Sequence, residues 1–542
     1  MEAKEDGEVK IEQDWTNNGD FLHNEGRILF NGNQQEVDGG TDFNSLTFES
    51  SSSTTLSSDT STIRSDLLVD GDLQTNGNLR LLSSEDRTAL IDGDGTGEVN
   101  GDVTMERYRS TSFGYTYLSS PFQNTQVEDL AHFVDLGAEF PRFFRYHEPS
   151  ETSGWEEYTD SSNTLTVGEG YAANLGSDTQ EVIMDFSGEV NNDSITYDNL
   201  TNNDEDFTNG FNLVGNPYPS PIDWGDSASW ERHGIDAATY FFSASDTDQY
   251  GGTYKSRVNG IETGDASDTI AAMQGFFVRV SDDTTEGSIT FTNDTRVNVF
   301  DPVFFKRKDE DYRPIINLGL KASKGPDYVD ETAVYFDNKS KKGFDSDFDA
   351  IKKMNTADYA PNFYSLSRDE RRLSIQAIDE DHDQNRIIPL GYHVNDDGEY
   401  VFTLSEMNHM DKNVYLEDLK KGTTIEVQSG FAHAFYSDEG TFEERFRLIF
   451  SEDDQIDYFN ERNNEGIFDA FSHGRNLFVS YNHPEKLPGD LALYNMTGRK
   501  VYEKTLPENR DYKLFVRNAQ GVYVAVLHYG DEEETRKIYL GQ

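Results

Sequence analysis

Through the first hundred residues apolar side chains occur in isolated pairs two positions apart: Ile28 and Phe30, Leu46 and Phe48, Leu67 and Val69, Leu79 and Leu81. That spacing puts both members of a pair on one face of a strand, whereas a helix face needs apolar residues three and four apart. Between the pairs stand turn formers, Asn31-Gly-Asn33, Asp38-Gly-Gly40 and Asp70-Gly-Asp72, which stop each strand after a few residues. One phrase nearly recurs, Trp15-Thr-Asn-Asn-Gly-Asp-Phe21 and Leu73-Gln-Thr-Asn-Gly-Asn-Leu79. Inward apolar pairs with a repeated Asn-Gly corner predict stacked β-solenoid rungs over 1–104, with a flat β-sandwich as the rival. The low-complexity run Ser50–Thr55 is expected on an outer turn.

From about Met105 to 300 the sequence is rich in aromatics and duplicated. Tyr115-Thr-Tyr-Leu-Ser-Ser-Pro-Phe122 lines up with Phe211-Asn-Leu-Val-Gly-Asn-Pro-Tyr218, Phe143-Phe-Arg-Tyr146 with Tyr240-Phe-Phe242, and Gly168-Glu-Gly-Tyr-Ala-Ala173 with Met273-Gln-Gly-Phe-Phe-Val278. Two β-modules are predicted, as one domain or two, with cores they can share. The prolines of Asn216-Pro-Tyr-Pro-Ser-Pro-Ile-Asp-Trp224 fix φ and remove amide donors, so this segment must be rigid and outside any ladder. Over 301–455, six strand candidates at regular spacing predict a β-sandwich or jelly roll: 315–320, 331–336, 373–377, 399–404, 414–418 and 445–450. An acidic linker, Ser451–Gly466, leads into a small C-terminal β-sandwich within 456–542. There Val522, Val524 and Val526 alternate with Tyr523, Ala525 and Leu527. The fold class is all-β and multi-domain.

The chain has 542 residues, enough for several cores, and a formal charge of −55. Such a field repels nucleic acid and anionic membranes. It suits a solvated surface in a salty medium or a need for divalent cations. With no cysteine, disulfides, thiolate catalysis and Cys-ligated metals are excluded. No apolar run has the roughly 18 to 20 residues of a membrane span.

Catalytic signatures are missing. HExxH, GxxxxGK[ST] and GxSxG do not occur, and Gly225-Asp-Ser-Ala-Ser229 lacks the last glycine of a nucleophile elbow. A glycosidase pair cannot be singled out among 101 acids. No cofactor is predicted, although calcium is the one cation the sequence suggests, through the alternating Asp345, Asp347 and Asp349. Asp92-Gly-Asp94 imitates the start of an EF-hand loop, but Val103 stands where the bidentate Glu belongs. Trp155, Tyr171, Trp224 and Trp230 fall in or near loop-like stretches and are the candidates for stacking on glycans; core packing is the competing reading.

The last seventy residues carry Leu491-Ala-Leu-Tyr-Asn-Met-Thr-Gly-Arg-Lys-Val501, then Gly521-Val-Tyr-Val-Ala-Val-Leu527, then a basic strand, Thr535-Arg-Lys-Ile-Tyr-Leu540. This pattern resembles the C-terminal sorting domain of cargo proteins of the bacterial type IX secretion system. Gly498, Gly521, Tyr523 and Lys537 match its motif positions, while the ending Tyr-Leu-Gly-Gln542 departs from the basic or β-branched finish common there. The Trp15–Gly32 rung, the Asn216–Trp224 segment and the Val414–Thr423 stretch also resemble modules of such cargoes. The resemblance implies export across both membranes to the outer surface or medium. Its implied partners are the outer-membrane secretion machinery and, at the surface, lipopolysaccharide, glycans or other proteins. It implies a non-enzymatic role in adhesion, matrix contact or display; the alternative is a set of ancillary carbohydrate-binding or spacer modules of a larger secreted enzyme. Such cargoes are made with a signal peptide, and Met1-Glu-Ala-Lys-Glu-Asp6 has no apolar h-region, so residue 1 is expected to be a processed, trimmed or recombinant start.

Overall fold

The computed structural model describes residues 7–300, 312–325, 327–341, 343–379, 386–451, 468–473, 476–481, 483, 486–507, 510–516, 521–530 and 532–540. The first six residues, and the acidic linker from 452 onward, lie outside them. Two short 3-10 turns, Val127–His132 and Asn293–Thr295, are the helical elements among the described residues, and all else that is regular is strand.

The N-terminal region is a three-faced parallel β-solenoid. One face stacks Glu8–Ile11, Arg27–Phe30, Ser45–Phe48, Asp66–Val69 and Leu90–Ile91; a second stacks Trp15–Thr16, Gln35–Asp38, Ser53–Ser58, Asp72–Gln74 and Glu98–Asn100. Parallel register places like on like: Ile28 over Leu46, Leu46 over Leu67, Leu67 over Ile91. These columns are fully buried, which is why each strand needs only one apolar pair. The glycines of the Asp70-Gly and Asp92–Gly97 corners have a packing reason. A Cβ on Gly97 would lie 1.8 Å from the Gly71 carbonyl oxygen, so corners can nest only without side chains. The run Ser50–Thr55 is not all turn: Ser53 begins a strand, and Thr54 points inward with 1% exposure, because a solenoid face accepts a small β-branched residue as readily as an aliphatic one.

The third face does not stop at residue 104. Met105 stacks on Leu81, and the strand Asp102–Arg109 then pairs antiparallel with Val182–Val190. The first duplicated module therefore caps the solenoid, and Asn192 closes the edge of the last rung by bonding Val99 N–H and C=O, both at 3.0 Å. Open parallel edges invite further pairing, and this cap removes one.

The duplication is real and symmetric. The first copy orders its strands Phe113–Leu118, Tyr171–Ser177, Phe143–Tyr146, Trp155–Glu157; the second orders Phe211–Gly215, Gly275–Arg279, Thr239–Ala244, Gly252–Val258. Leu118 bridges Gln274 while Glu169 bridges Val214. Leu118 corresponds to Val214 and Glu169 to Gln274, so the two bridges are the same contact made twice, as a local two-fold relation requires. The copies share a core. Tyr117, Phe211, Tyr240 and Phe277 form one cluster with Ile315, Ala333 and Ile375 of the next region.

Asn216–Trp224 is the hub of this assembly and is buried throughout. Asn216 Nδ2 donates to the carbonyls of Ser220, Ile270 and Ala271 (2.8, 3.2 and 3.1 Å), and its Oδ1 accepts the Tyr218 N–H at 2.9 Å. The proline carbonyls face outward to other elements: Pro219 accepts from Ile91 of the solenoid at 3.0 Å and Pro217 from Asn191 at 2.7 Å. Asn216→Ala leaves several buried groups unmatched, and a loss of about 2 kcal/mol in chemical denaturation is expected.

Residues 312–451 build an eleven-stranded sheet folded over its own core. All six predicted strands are present, with Asn362–Leu366, Arg386–Val394, Thr423–Glu426 and Ala432–Ser437 among those added. The C-terminal module is a two-sheet sandwich with a separate core, including Leu491, Leu493, Tyr523, Leu527 and Leu540. Among the described residues no helix is long and apolar enough to cross a membrane.

Candidate ligand cleft and terminal module

A cleft of about 390 Å³ opens where the two copies face each other. Phe113, Tyr115 and Tyr117 line one side, and Phe242 with Ser243 to Asp246 lines the other. Alternation along Phe113–Leu118 sends successive side chains to opposite faces. Phe113, Tyr115 and Tyr117 therefore share the face that meets the cleft, and the register with the partner strand shifts between Phe113 and Tyr115, where the partner Tyr171–Ser177 carries the extra residue. The Tyr117 ring stacks on Phe242 at 5.2 Å, and its hydroxyl meets that of Tyr254 at 2.8 Å. Arg109, Thr111, Thr116, Thr179 and Gln274 supply polar groups, with Arg109 Nη1 donating to Thr116 Oγ1 at 2.8 Å. Among the described lining residues Asp246 is the one carboxylate.

Behind this wall lies a second aromatic slot, already filled. Lys353 reaches from the following sandwich so that its Nζ sits 3.8 Å from the Phe277 ring centre, 4.3 Å from Phe211, 4.9 Å from Tyr254 and 5.2 Å from Tyr146. Burial pushes its ammonium down to about 7, while the ring faces pull the other way because their quadrupoles favour a cation. Phe211 is the counterpart of Tyr115, and Tyr146 the counterpart of Phe242. Two of the four rings around Lys353 thus have counterparts in the wall of the open cleft. The neighbouring Lys352 is held by Asp330 at 2.6 Å, both side chains 1% exposed.

The predicted glycan residues are placed otherwise. Tyr171, Trp224 and Trp230 are buried, at 0%, 5% and 6% exposure. Tyr171 stacks on Phe143 at 5.3 Å, and the two tryptophans pack on each other at 4.0 Å. Both faces of these rings are covered, so they are packing residues, a correction to the reading of them as stacking sites. Trp155 is half-buried and packs 4.9 Å from Tyr146, beside the Lys353 slot and not on an open surface. The exposed rings lie elsewhere: Phe140 and Tyr250, 59% and 57% exposed, meet edge to face at 5.9 Å. Tyr250 belongs to the turn after Thr239–Ala244, the same hairpin that lines the cleft.

The calcium candidates do not converge. Asp345 takes the N–H of Asp347 and Lys341, and Asp349 takes those of Asp345 and Ala377 (2.7 and 2.6 Å). Asp347 points out to Arg232. Backbone amides thus occupy the oxygens a cation would need, and among the described residues no group of three or more His, Asp or Glu could hold a metal ion. Burial raises the Asp349 carboxyl to about 7.

In the terminal module the motif residues have structural reasons. Asn495 Oδ1 accepts the N–H of Thr497 and Arg499 (3.1 and 2.9 Å), and Gly498 takes φ +76° to close the hairpin between Gly489–Asn495 and Lys500–Leu506. Gly521 starts its strand at φ +112°, which disfavours any side chain. Tyr523, Ala525 and Leu527 face the core, while Lys537 stands exposed on the last strand opposite Val524.

A search of curated proteins gives no match. Among solved structures, a β-glucuronidase of Ruminococcus gnavus in complex with uronic isofagomine aligns at 9% identity and TM-score 0.13, over 81% of this chain and 44% of that one. The chain thus spans less than half of the glucuronidase. The BSP domain of a biofilm associated protein aligns at 7% identity and TM-score 0.15, over 81% and 92% of the two chains. Neither alignment extends to a shared architecture. The profile of a family described as a domain of unknown function, DUF8693, matches residues 10–450, from the first rung through the last strand of the eleven-stranded sheet, and the chain belongs to that family.

Proposed function

We propose that this chain is a non-enzymatic protein of the outer cell surface or the extracellular medium, exported as a type IX cargo through its C-terminal module and acting in adhesion, matrix contact or display. The observation that carries the reading is the terminal sandwich. It has its own core, its Tyr-Asn-x-x-Gly turn is closed by Asn495 and Gly498, and Lys537 is presented on an exposed last strand. A recognition tag must fold independently of its cargo, and a separate core of this size supports that. The cleft between the two copies offers a single carboxylate, Asp246, among its described lining residues. Its aromatic and hydroxyl lining also favours the second reading, ancillary binding modules of a larger secreted enzyme.

Fusing residues 467–542 to a periplasm-targeted reporter in a type IX-competent bacterium is expected to bring the reporter to the surface or the medium. A reporter held in the periplasm overturns the export reading.

A further inference from the structure

We propose that the open cleft between the two copies binds a neutral glycan, with the exposed pair Phe140 and Tyr250, at the turn of the hairpin that lines it, as its outer rim. The local two-fold symmetry puts Tyr115 and Phe242 where Phe211 and Tyr146 meet Lys353, while Phe277 and Tyr254 have Ala172 and Trp155 as counterparts, and the slot walled by Tyr115 and Phe242 is open and holds about 390 Å³. The lining of the open slot has changed in a definite direction. Tyr117 and Phe242 stack on each other, which leaves the half-buried Phe113 and Tyr115 as the rings offered to a ligand, and around them stand the hydroxyls of Thr111, Thr116 and Ser243, the Gln274 amide and the Arg109 guanidinium. Rings for apolar faces, with hydroxyl and amide partners around them, suit a ligand that is apolar on its faces and hydroxylated at its rim, which describes a pyranose.

Two observations select among ligands. Arg109 in the same wall disfavours a second ammonium of the kind Lys353 supplies, and the chain's −55 charge disfavours polyanionic glycans. The rim rings narrow the choice further. Phe140 and Tyr250 stand at 80° to each other, so a flat ribbon cannot lie on both, and a chain that turns between sugar units fits better. The inference rests on the surface-contact reading for its setting alone, since export of the reporter and sugar binding by the folded chain are measured separately and either can fail without the other.

The full chain is to be run in native gels containing a neutral β-1,3-glucan, a neutral β-1,4-glucan, an α-glucan or polygalacturonate, with affinities taken from the retardation. Two variants probe the cleft at exposed positions: Thr179→Trp, which plugs its mouth, and Phe140→Ala combined with Tyr250→Ala, which removes the rim. Because all three side chains are exposed, unchanged melting temperatures are expected. The expected result is retardation by the β-1,3-glucan or the α-glucan, weakened at least tenfold by either variant. No retardation by these two, retardation by the flat β-1,4-glucan or by polygalacturonate alone, or retardation that survives both variants overturns the proposal.

Discussion

Lys353→Met is expected to raise the melting temperature of the chain at pH 6 to 7 and to abolish part of its stabilisation in alkali. The folded-state value near 7 lies below the ordinary 10.5. Between these two pH values the unfolded chain binds more protons than the folded one, so stability must rise with pH across that window. Below it the folded protein carries the full cost of an enclosed ammonium. A displacement of this size sets a ceiling of ~5 kcal/mol, against which the attraction of four ring faces counts for roughly 2 kcal/mol. Methionine fills the same slot with an unbranched apolar chain. Melting temperatures of both proteins at pH 6, 8 and 10 decide the matter. Parallel pH dependences would show that Lys353 does not titrate in the slot, and a lower melting temperature for the variant at pH 6 would show that the rings outweigh burial.

The adjacent lysine has the opposite expectation. Asp330→Ala strands the Lys352 ammonium in the core and also removes the acceptor of the Phe363 N–H at 2.6 Å. Breaking one side of a buried pair costs about 3 to 5 kcal/mol, and urea denaturation should show a loss of that order. The double variant Asp330→Ala with Lys352→Met should recover much of it, because the uncompensated charge is gone. A loss below ~1 kcal/mol for the single variant would mean that water reaches the pair. Two consecutive lysines thus divide the work at one junction: one is neutralised by a carboxylate, the other tolerated by rings.

Much of this architecture was legible because it depends on local period and repetition. The apolar pairs from Ile28 to Leu81 stack as columns since a two-residue period admits little else, and the offset linking Tyr115 to Phe211 and Tyr146 to Phe242 became a local two-fold relation. The terminal alternation placed Tyr523, Ala525 and Leu527 inward because a strand has two faces and one is a core. Failures came where neighbours in space decide. Arg386–Val394 is not among the six strands read from the sequence; Pro389 argues against a central strand, yet it is accommodated in register with Arg447. Trp224 and Trp230 sit near polar turns in sequence, and only the pairing of Trp230–His233 with Glu286–Phe291 brings the two indoles together in a core. Lys353 is not singled out by the sequence. Nothing local marks a lysine as caged, since its four rings come from strands of both copies. Likewise Asp345 and Asp349 could be read as cation ligands until their loop folded back and offered them its own amides.

The stacking register of the N-terminal faces has a consequence for how such proteins can differ. Backbone pairing ties each rung only to the rung before and after it, with side-chain ties such as Arg27 to Asp66 reaching one rung further, and on the solenoid side the Asp102–Arg109 strand of the cap pairs with Leu79–Leu81. Inserting or deleting a whole rung ahead of the last one, whose Ile91 bonds the hub at Pro219, would change the length of the solenoid by ~4.8 Å and leave the cleft, the Lys353 slot and the proline hub untouched. Reach and recognition are therefore separable quantities in this design: the number of rungs is an adjustable ruler, and selection can lengthen or shorten it one notch at a time without renegotiating the chemistry at its base.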